Sequence, residues 1–250
     1  MNDSSASVAL VTGSTSGIGA AVARRFAAEN MRVVVNSVSS VEAGQALVAD
    51  LDSRYGDGTA HYVQADIAAD GEGERLVAET VARFGRLDVL VNNAGTTVRI
   101  AHSDLAAATP DVFRRLYDVN VVGPWQVTVA AMPHLRESGD GCVVNVTSLA
   151  GIRPTGSSIP YAVSKAAFNH LTLLLANTVG PEVRVNAVAP GLVDTPWTED
   201  WHDIRAGVQA MAPLRRSGQP DDIAEVVLAA VRAKYATGQV WAVDGGVGLR

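Results

Sequence analysis

The sequence predicts a single α/β domain built on a doubly wound parallel sheet of seven strands, and three observations lead there. Short β-branched runs alternate along the chain with longer, Ala-rich amphipathic segments. The runs are almost continuous Val, Ile and Leu, which suits strands covered on both faces. No Pro-, Ser- or Gly-rich linker, long repeat or low-complexity block divides the 250 residues, so one domain over 1–250 is expected. Strands are placed at 8–11, 32–36, 61–65, 87–91, 142–146, 183–188 and 239–243. Helices are placed at 17–29, 41–55, 71–84, 110–137, 160–179 and 220–233. Right-handed crossovers between parallel strands then put helices on both faces of the sheet. The least regular stretch, 194–218, follows a strand end and carries Trp197, Trp201, Met211 and Leu214. Ligands of open α/β sheets sit beyond the carboxyl ends of the strands, so 194–218 reads as a substrate lid over a partly apolar pocket. A surface excursion or subunit contact is the alternative. At its end, Arg215-Arg216 either receives an anionic substrate tail or is a solvated pair.

Composition narrows the function. Apolar residues make up 48% of the chain and charged ones 18%, as in a globular protein with a sizeable core. Twenty Lys and Arg against 26 Asp and Glu leave a net charge of −6, which disfavours general binding to nucleic acid phosphates. The single cysteine, Cys142, excludes an intramolecular disulfide and reads as a small apolar residue leading into a strand. Cys142 and the five scattered histidines form no metal-ligand spacing, so no metal is expected. His102, His134, His170 and His202 read as surface or packing residues. Met1–Ser5 lack the basic start of a secretory signal. The longest uncharged stretches, 119–135 and 166–181, fall short of the ~20 apolar residues that cross a bilayer. A cytoplasmic protein without membrane contact is expected.

Thr12-Gly13-Ser14-Thr15-Ser16-Gly17-Ile18-Gly19 joins the first strand to the first helix. A phosphate needs close backbone approach, free N–H donors and the positive end of a helix dipole, and glycines there permit all three. The spacing G-x-x-x-G-x-G is not the generic G-x-G-x-x-G fingerprint. It resembles the cofactor loop of the short-chain dehydrogenase/reductase family, especially its 3-oxoacyl-[acyl-carrier-protein] reductase-like members. The resemblance continues through Asn92-Asn93-Ala94-Gly95, Asn120, Ser148, Tyr161-x-x-x-Lys165, Pro190-Gly191 and Asp244-Gly245-Gly246, in the family's order and spacing.

The resemblance implies a Rossmann-like fold that binds NADP or NAD. It assigns the cofactor to Gly13, Ser14, Ser16, Gly17, Ile18 and Gly19 of the loop and to Asn36, Ser37 and Ser39 after the second strand. It adds Asp66 and Ile67 at the adenine, Asn92, Ala94 and Gly95 at the fourth strand end, and Pro190, Gly191, Val193 and Thr195 beside the nicotinamide. Tyr161 and Lys165 complete the set. Asp66 has a second reading, as a cap for the following helix. An acid at the second strand end would bind the ribose diol of NAD and repel the extra phosphate of NADP. Asn36-Ser37-Val38-Ser39-Ser40 has no acid, so NADP is favoured, although no arginine is present to attract it.

Tyr161 and Lys165 stand four apart and so share one helix face. Ser148 lies 13 positions before Tyr161, just beyond a strand. A free tyrosine has a pKa of about 10, and a cation at about 4 Å favours phenolate by up to ~4 kcal/mol at an effective dielectric of ~20. Lys165 is therefore expected to draw Tyr161 toward the working range. Tyr161 then acts as general acid in reduction and general base in oxidation, while Ser148 stabilises charge on the substrate oxygen. The resemblance gives Lys165 the ribose hydroxyls and Asn120 a water in a proton relay. Inside the helix placed at 110–137, Asn120 is also readable as a buried structural amide. The expected activity is hydride transfer between NAD(P) and a ketone or secondary alcohol, with a 3-oxoacyl thioester as the leading substrate. A non-catalytic dinucleotide sensor or interaction protein on the same fold is the alternative. The resemblance further implies a homo-oligomer, a tetramer.

Overall fold

The computed structural model describes residues 6–249; the N-terminal residues read for a secretory signal, and Arg250, lie outside the described residues. Seven parallel strands form one sheet: β1 (Val8–Val11), β2 (Arg32–Ser37), β3 (Ala60–Gln64), β4 (Val89–Asn92), β5 (Gly141–Val146), β6 (Val183–Pro190) and β7 (Val240–Val243). Their spatial order is β3-β2-β1-β4-β5-β6-β7. The order reverses direction between β1 and β4, which opens a crevice at their carboxyl ends.

Alternation along the strands feeds two cores. Ala9, Val11, Val33, Val35, Val89, Val91 and Val144 pack toward α1 (Gly17–Ala28), α2 (Val41–Tyr55) and α8 (Pro220–Arg232). Leu10, Val34, Leu90, Val143 and Val185 pack on the other face, toward α3 (Glu72–Phe84), α5 (Gly123–Glu137) and α6 (Ile159–Val179). Burial on both faces is why the central strands β1 and β4 run apolar without a polar alternate until Asn92.

Three expectations change. The helix placed at 110–137 is two helices, α4 (Pro110–Tyr117) and α5, joined by a π-helical turn at Asp118–Val122. Pro124 in the first turn of α5 has no N–H for a continuous ladder, and a wider turn absorbs the loss. Gly123 lies so close to Ile67 that a Cβ would stand 2.9 Å from its carbonyl oxygen. The 194–218 segment is more ordered than expected, with a 3-10 turn at Pro196–Thr198 and a helix α7 (His202–Met211). Finally, β4 is Val89–Asn92, so its polar end reaches further into the crevice than 87–91 implied.

Among the described residues, no helix is long and apolar enough to cross a membrane. Cys142 is buried within β5, and burial pushes its thiol up to about 11, so it is not poised as a nucleophile.

Candidate active site

The glycine loop is held from three sides. Gly13 and Gly17 both have left-handed backbone, with φ of +59° and +51°. A Cβ on Gly13 would stand 2.7 Å from Ala94 Cα, and one on Gly19 would stand 2.5 Å from Asn93 Nδ2. Ser14 is fully buried: its hydroxyl donates to the Val11 carbonyl and accepts from the Asn36 N–H. Asn36 is equally committed, accepting from the Gly13 N–H and donating to the Val63 and Ala65 carbonyls. Both side chains therefore shape the loop from behind.

The front of the loop fits a diphosphate. Ser16 caps α1 without a side-chain hydrogen bond, and no acidic residue lies in the first turn. The N-terminal N–H groups are left for an anion, where the helix dipole favours one. Ser16 is exposed and Ile18 half-buried against the core. Ser37 is buried with its hydroxyl 2.9 Å from that of Tyr62, whereas Ser39 is open to solvent. Asp66 is exposed and accepts from the Ala68 N–H; α3 starts later, with Gly71 at its N-cap, so Asp66 does not cap it. Ile67 is buried beside it.

Sequence reasoning passed over two residues here. Thr12 accepts from the N–H groups of Asn93 and Ala94, and Asn93 donates its amide to the carbonyls of Thr12 and Gly13. They tie the β4 end to the glycine loop; a polar residue flanking each strand end was the available signal. Asn92 instead turns inward, donating to Thr128 and Asn145.

The reacting groups converge across β5, α6 and the π turn. Ser148 caps a 3-10 turn at Leu149–Gly151, and its oxygen accepts from the Ala150 N–H. Its proton remains free for another oxygen, and the Tyr161 phenol is its hydrogen-bond neighbour. Ser158, also unforeseen, caps α6 by accepting from the Tyr161 N–H and so fixes where the phenol starts. Lys165 is 3% exposed and donates to the Val146 carbonyl, its one protein acceptor among the described residues. The other two ammonium protons are left for a ligand rich in hydroxyls, and Gly95 is close: a Cβ there would stand 3.5 Å from Nζ. Asn120 accepts from the Thr96 N–H and donates to the Thr96 carbonyl and the Ser164 hydroxyl. Its side chain thus staples the β4 loop to α6, one residue before Lys165.

The electrostatics correct one expectation. Burial raises the Tyr161 phenol above its ordinary range, and the hydrogen bond with Ser148 offsets this only in part. Lys165 Nζ stands 5.9 Å from the phenol ring centre and does not lower it. Burial also lowers the Lys165 ammonium, to about 8. Both groups share one apolar setting, and desolvation acts on each before their mutual field does.

The family model described as Enoyl-(Acyl carrier protein) reductase matches residues 13–248. The ketoacyl reductase 2 named for the granaticin polyketide synthase of Streptomyces violaceoruber is 59% identical over 247 residues, 98% of this chain and 97% of the relative. A 3-oxoacyl-[acyl-carrier-protein] reductase of Synechocystis is 36% identical, covering 97% of each chain. A solved short-chain dehydrogenase/reductase from Burkholderia xenovorans superposes with a TM-score of 0.91 at 39% identity, covering 98% of this chain and 99% of that one. The chain belongs to the short-chain dehydrogenase/reductase family.

In this short-chain dehydrogenase/reductase the segment after β6 joins both ends of the site. Pro190 closes β6, and the Gly191 N–H donates to Val243. Val193 is buried and bridges to Gly218, closing the base of the 194–218 segment. Thr195 meets the glycine loop, 3.1 Å from where a Gly17 Cβ would be. Asp194 holds the segment together, accepting from Arg205, Ser217 and Gln219 at 2.7, 2.6 and 2.8 Å. Burial would raise its carboxyl, but the Ser217 and Arg205 hydrogen bonds outweigh that and hold it low. Arg216 is not a free anion receptor, because it forks onto Asp222 at 2.5 and 2.9 Å; Arg215 is exposed. His102, His170 and His202 are exposed and His134 is half-buried.

Asp194→Asn keeps the shape and removes the charge that Arg205 needs. Charge-assisted bonds are worth about 1.5–3 kcal/mol, so KM for the ketone is expected to rise about ten-fold with kcat changed less. Steady-state kinetics checks this; an unaltered KM rejects the carboxylate as a support of substrate binding through the 194–218 segment.

Proposed function

We propose that the protein is an NADP-preferring ketone reductase, with a 3-oxoacyl thioester as its leading substrate. One observation carries the reading: a phenol that holds its proton stands beside a serine hydroxyl and a buried ammonium. The phenol keeps its proton at neutral pH, so the proton is in place for the direction a reductase needs. Ser148 donates a hydrogen bond to the carbonyl oxygen, and Tyr161 delivers its proton there as negative charge develops. Lys165 would hold hydroxyl groups of a bound cofactor's ribose with the two protons that Val146 leaves over. A nicotinamide bound there would supply the hydride to the carbonyl carbon. The non-catalytic sensor reading is not favoured, because Ser148, Tyr161 and Lys165 are assembled rather than scattered.

Preference for NADP is supported by the β2 end, where Ser37, Val38, Ser39 and Ser40 present no carboxylate. Ser37→Asp is expected to lower the NADP/NAD ratio of kcat/KM at least about ten-fold, the scale of ~1.4 kcal/mol of repulsion. No change in that ratio rejects the assignment of the phosphate to this strand end. A homotetramer is supported by exposed apolar side chains at helical spacing, Val122 of the π turn with Trp125 and Val129 on α5, and by the exposed Val163, Leu173 and Leu174 on α6. Light scattering on the purified protein tests it. A cytoplasmic location is part of the same proposal.

The reductase reading is tested by following nicotinamide absorbance with NADPH and NADH against acetoacetyl thioesters and a panel of cyclic ketones. Oxidation that depends on ketone supports it. Tight cofactor binding without turnover of any ketone favours the sensor.

A further inference from the structure

Trp197 sits where a substrate wall belongs. Its ring centre is 6.3 Å from that of Tyr161, with the planes 86° apart, so the two rings meet edge to face. Such pairs are favoured by the ring quadrupoles. The indole is nonetheless 48% exposed, leaving an open aromatic surface beside the proton donor.

The turn that carries it is fixed from both sides. The Thr198 hydroxyl donates to the Val193 carbonyl at 2.6 Å, and the Thr195 N–H donates to the Thr198 hydroxyl at 3.1 Å. Arg205, anchored on Asp194, donates to the Thr198 carbonyl at 2.9 Å. Four residues on, Trp201 stacks against the Arg99 guanidinium, 5.5 Å from the ring centre, which ties the lid to the loop after β4. The backbone that carries Trp197 is therefore preorganised, and its ring meets the Tyr161 ring edge to face.

Resting on the ketone-reductase reading, we propose that Trp197 is a specificity-determining residue that gives ketones borne on a flat ring an added binding contact, one that a linear 3-oxoacyl chain does not use. A rigid ring lies along the indole at little cost in internal freedom and presents its carbonyl to Tyr161 and Ser148 in one orientation. A linear chain has rotors to lose and no π face to match. The wall acts on binding and orientation, while proton transfer stays with Tyr161.

The test assays wild type, Trp197→Phe and Trp197→Ala with NADPH against a bicyclic aryl ketone, 1-tetralone, and a linear acetoacetyl N-acetylcysteamine thioester. Trp197→Ala is expected to lower kcat/KM for 1-tetralone about ten-fold, mainly through KM, the scale of an aromatic pair. The thioester should change less than about two-fold, since it makes no stacked contact. Trp197→Phe should restore most of the ring-ketone activity and leave the pH profile of kcat unmoved. Equal losses on both substrates, or a shifted pH profile in Trp197→Phe, overturn the proposal, because Trp197 then only supports Tyr161. A wild type that reduces the thioester but never the ring ketone also overturns it and leaves the reductase reading standing. A wild type that binds NADPH and reduces neither overturns both.

Discussion

Tyr161→Phe should bind NADP with wild-type affinity and lose about 10³-fold or more in kcat, within the range that one positioned acid contributes. The change removes one oxygen and leaves the ring, the Ser158 cap on the Tyr161 N–H and the edge-to-face contact with Trp197. In the proposed function most of the cofactor contacts lie elsewhere, on the glycine loop and on Lys165. The loss should appear equally in kcat and kcat/KM, because the proton is delivered only as charge develops on the carbonyl oxygen. A variant keeping most of its turnover shows that another group supplies the proton.

Lys165→Met should make the ligand-free protein more stable while disabling it. The ammonium is buried, and desolvation lowers it from 10.5 to about 8. The unfolded chain therefore binds the proton more tightly than the folded one. Below pH 8 the folded state bears the full cost of the charge, about 3 kcal/mol by linkage. Between pH 8 and 10.5 that cost fades as the folded protein sheds its proton. Chemical denaturation should accordingly show the Met variant ahead of wild type at pH 7, with the gap closing toward pH 10.5. A gap that does not move with pH means Lys165 is not a buried charge. In wild type, kcat/KM for the cofactor should fall above pH 8 as the ammonium is lost.

The strands were legible because both faces of the central sheet are buried, so β1, β4 and the middle of β2 and β5 read as short Val- and Leu-rich runs. Most of the helices were legible through caps and apolar stripes. The break between α4 and α5 was not, because Asp118–Val122 keeps helical spacing while its turn widens. Helix α7 was missed for a different reason: it buries no residue completely, so its apolar stripe has no core to answer to.

At the site, residue types and spacing suffice to bring together Ser148, Tyr161 and Lys165. They do not show that Ser14 and Asn36 spend their polar atoms behind the glycine loop, or that Asn93 and Ser158 hold its neighbours in place. Those roles depend on contacts between residues more than 20 positions apart or on caps visible only in three dimensions. The phenol was misjudged because charge separation can be guessed from helical spacing, while desolvation depends on everything packed around the pair.

The most direct measurement of the central claim follows a label. The wild-type protein is given a ketone with reduced cofactor carrying deuterium at both nicotinamide C4 positions, and the alcohol product is read by NMR. Deuterium on the carbinol carbon, with the hydroxyl proton drawn from solvent, is the result this site requires. Alcohol that forms without deuterium at that carbon would contradict it.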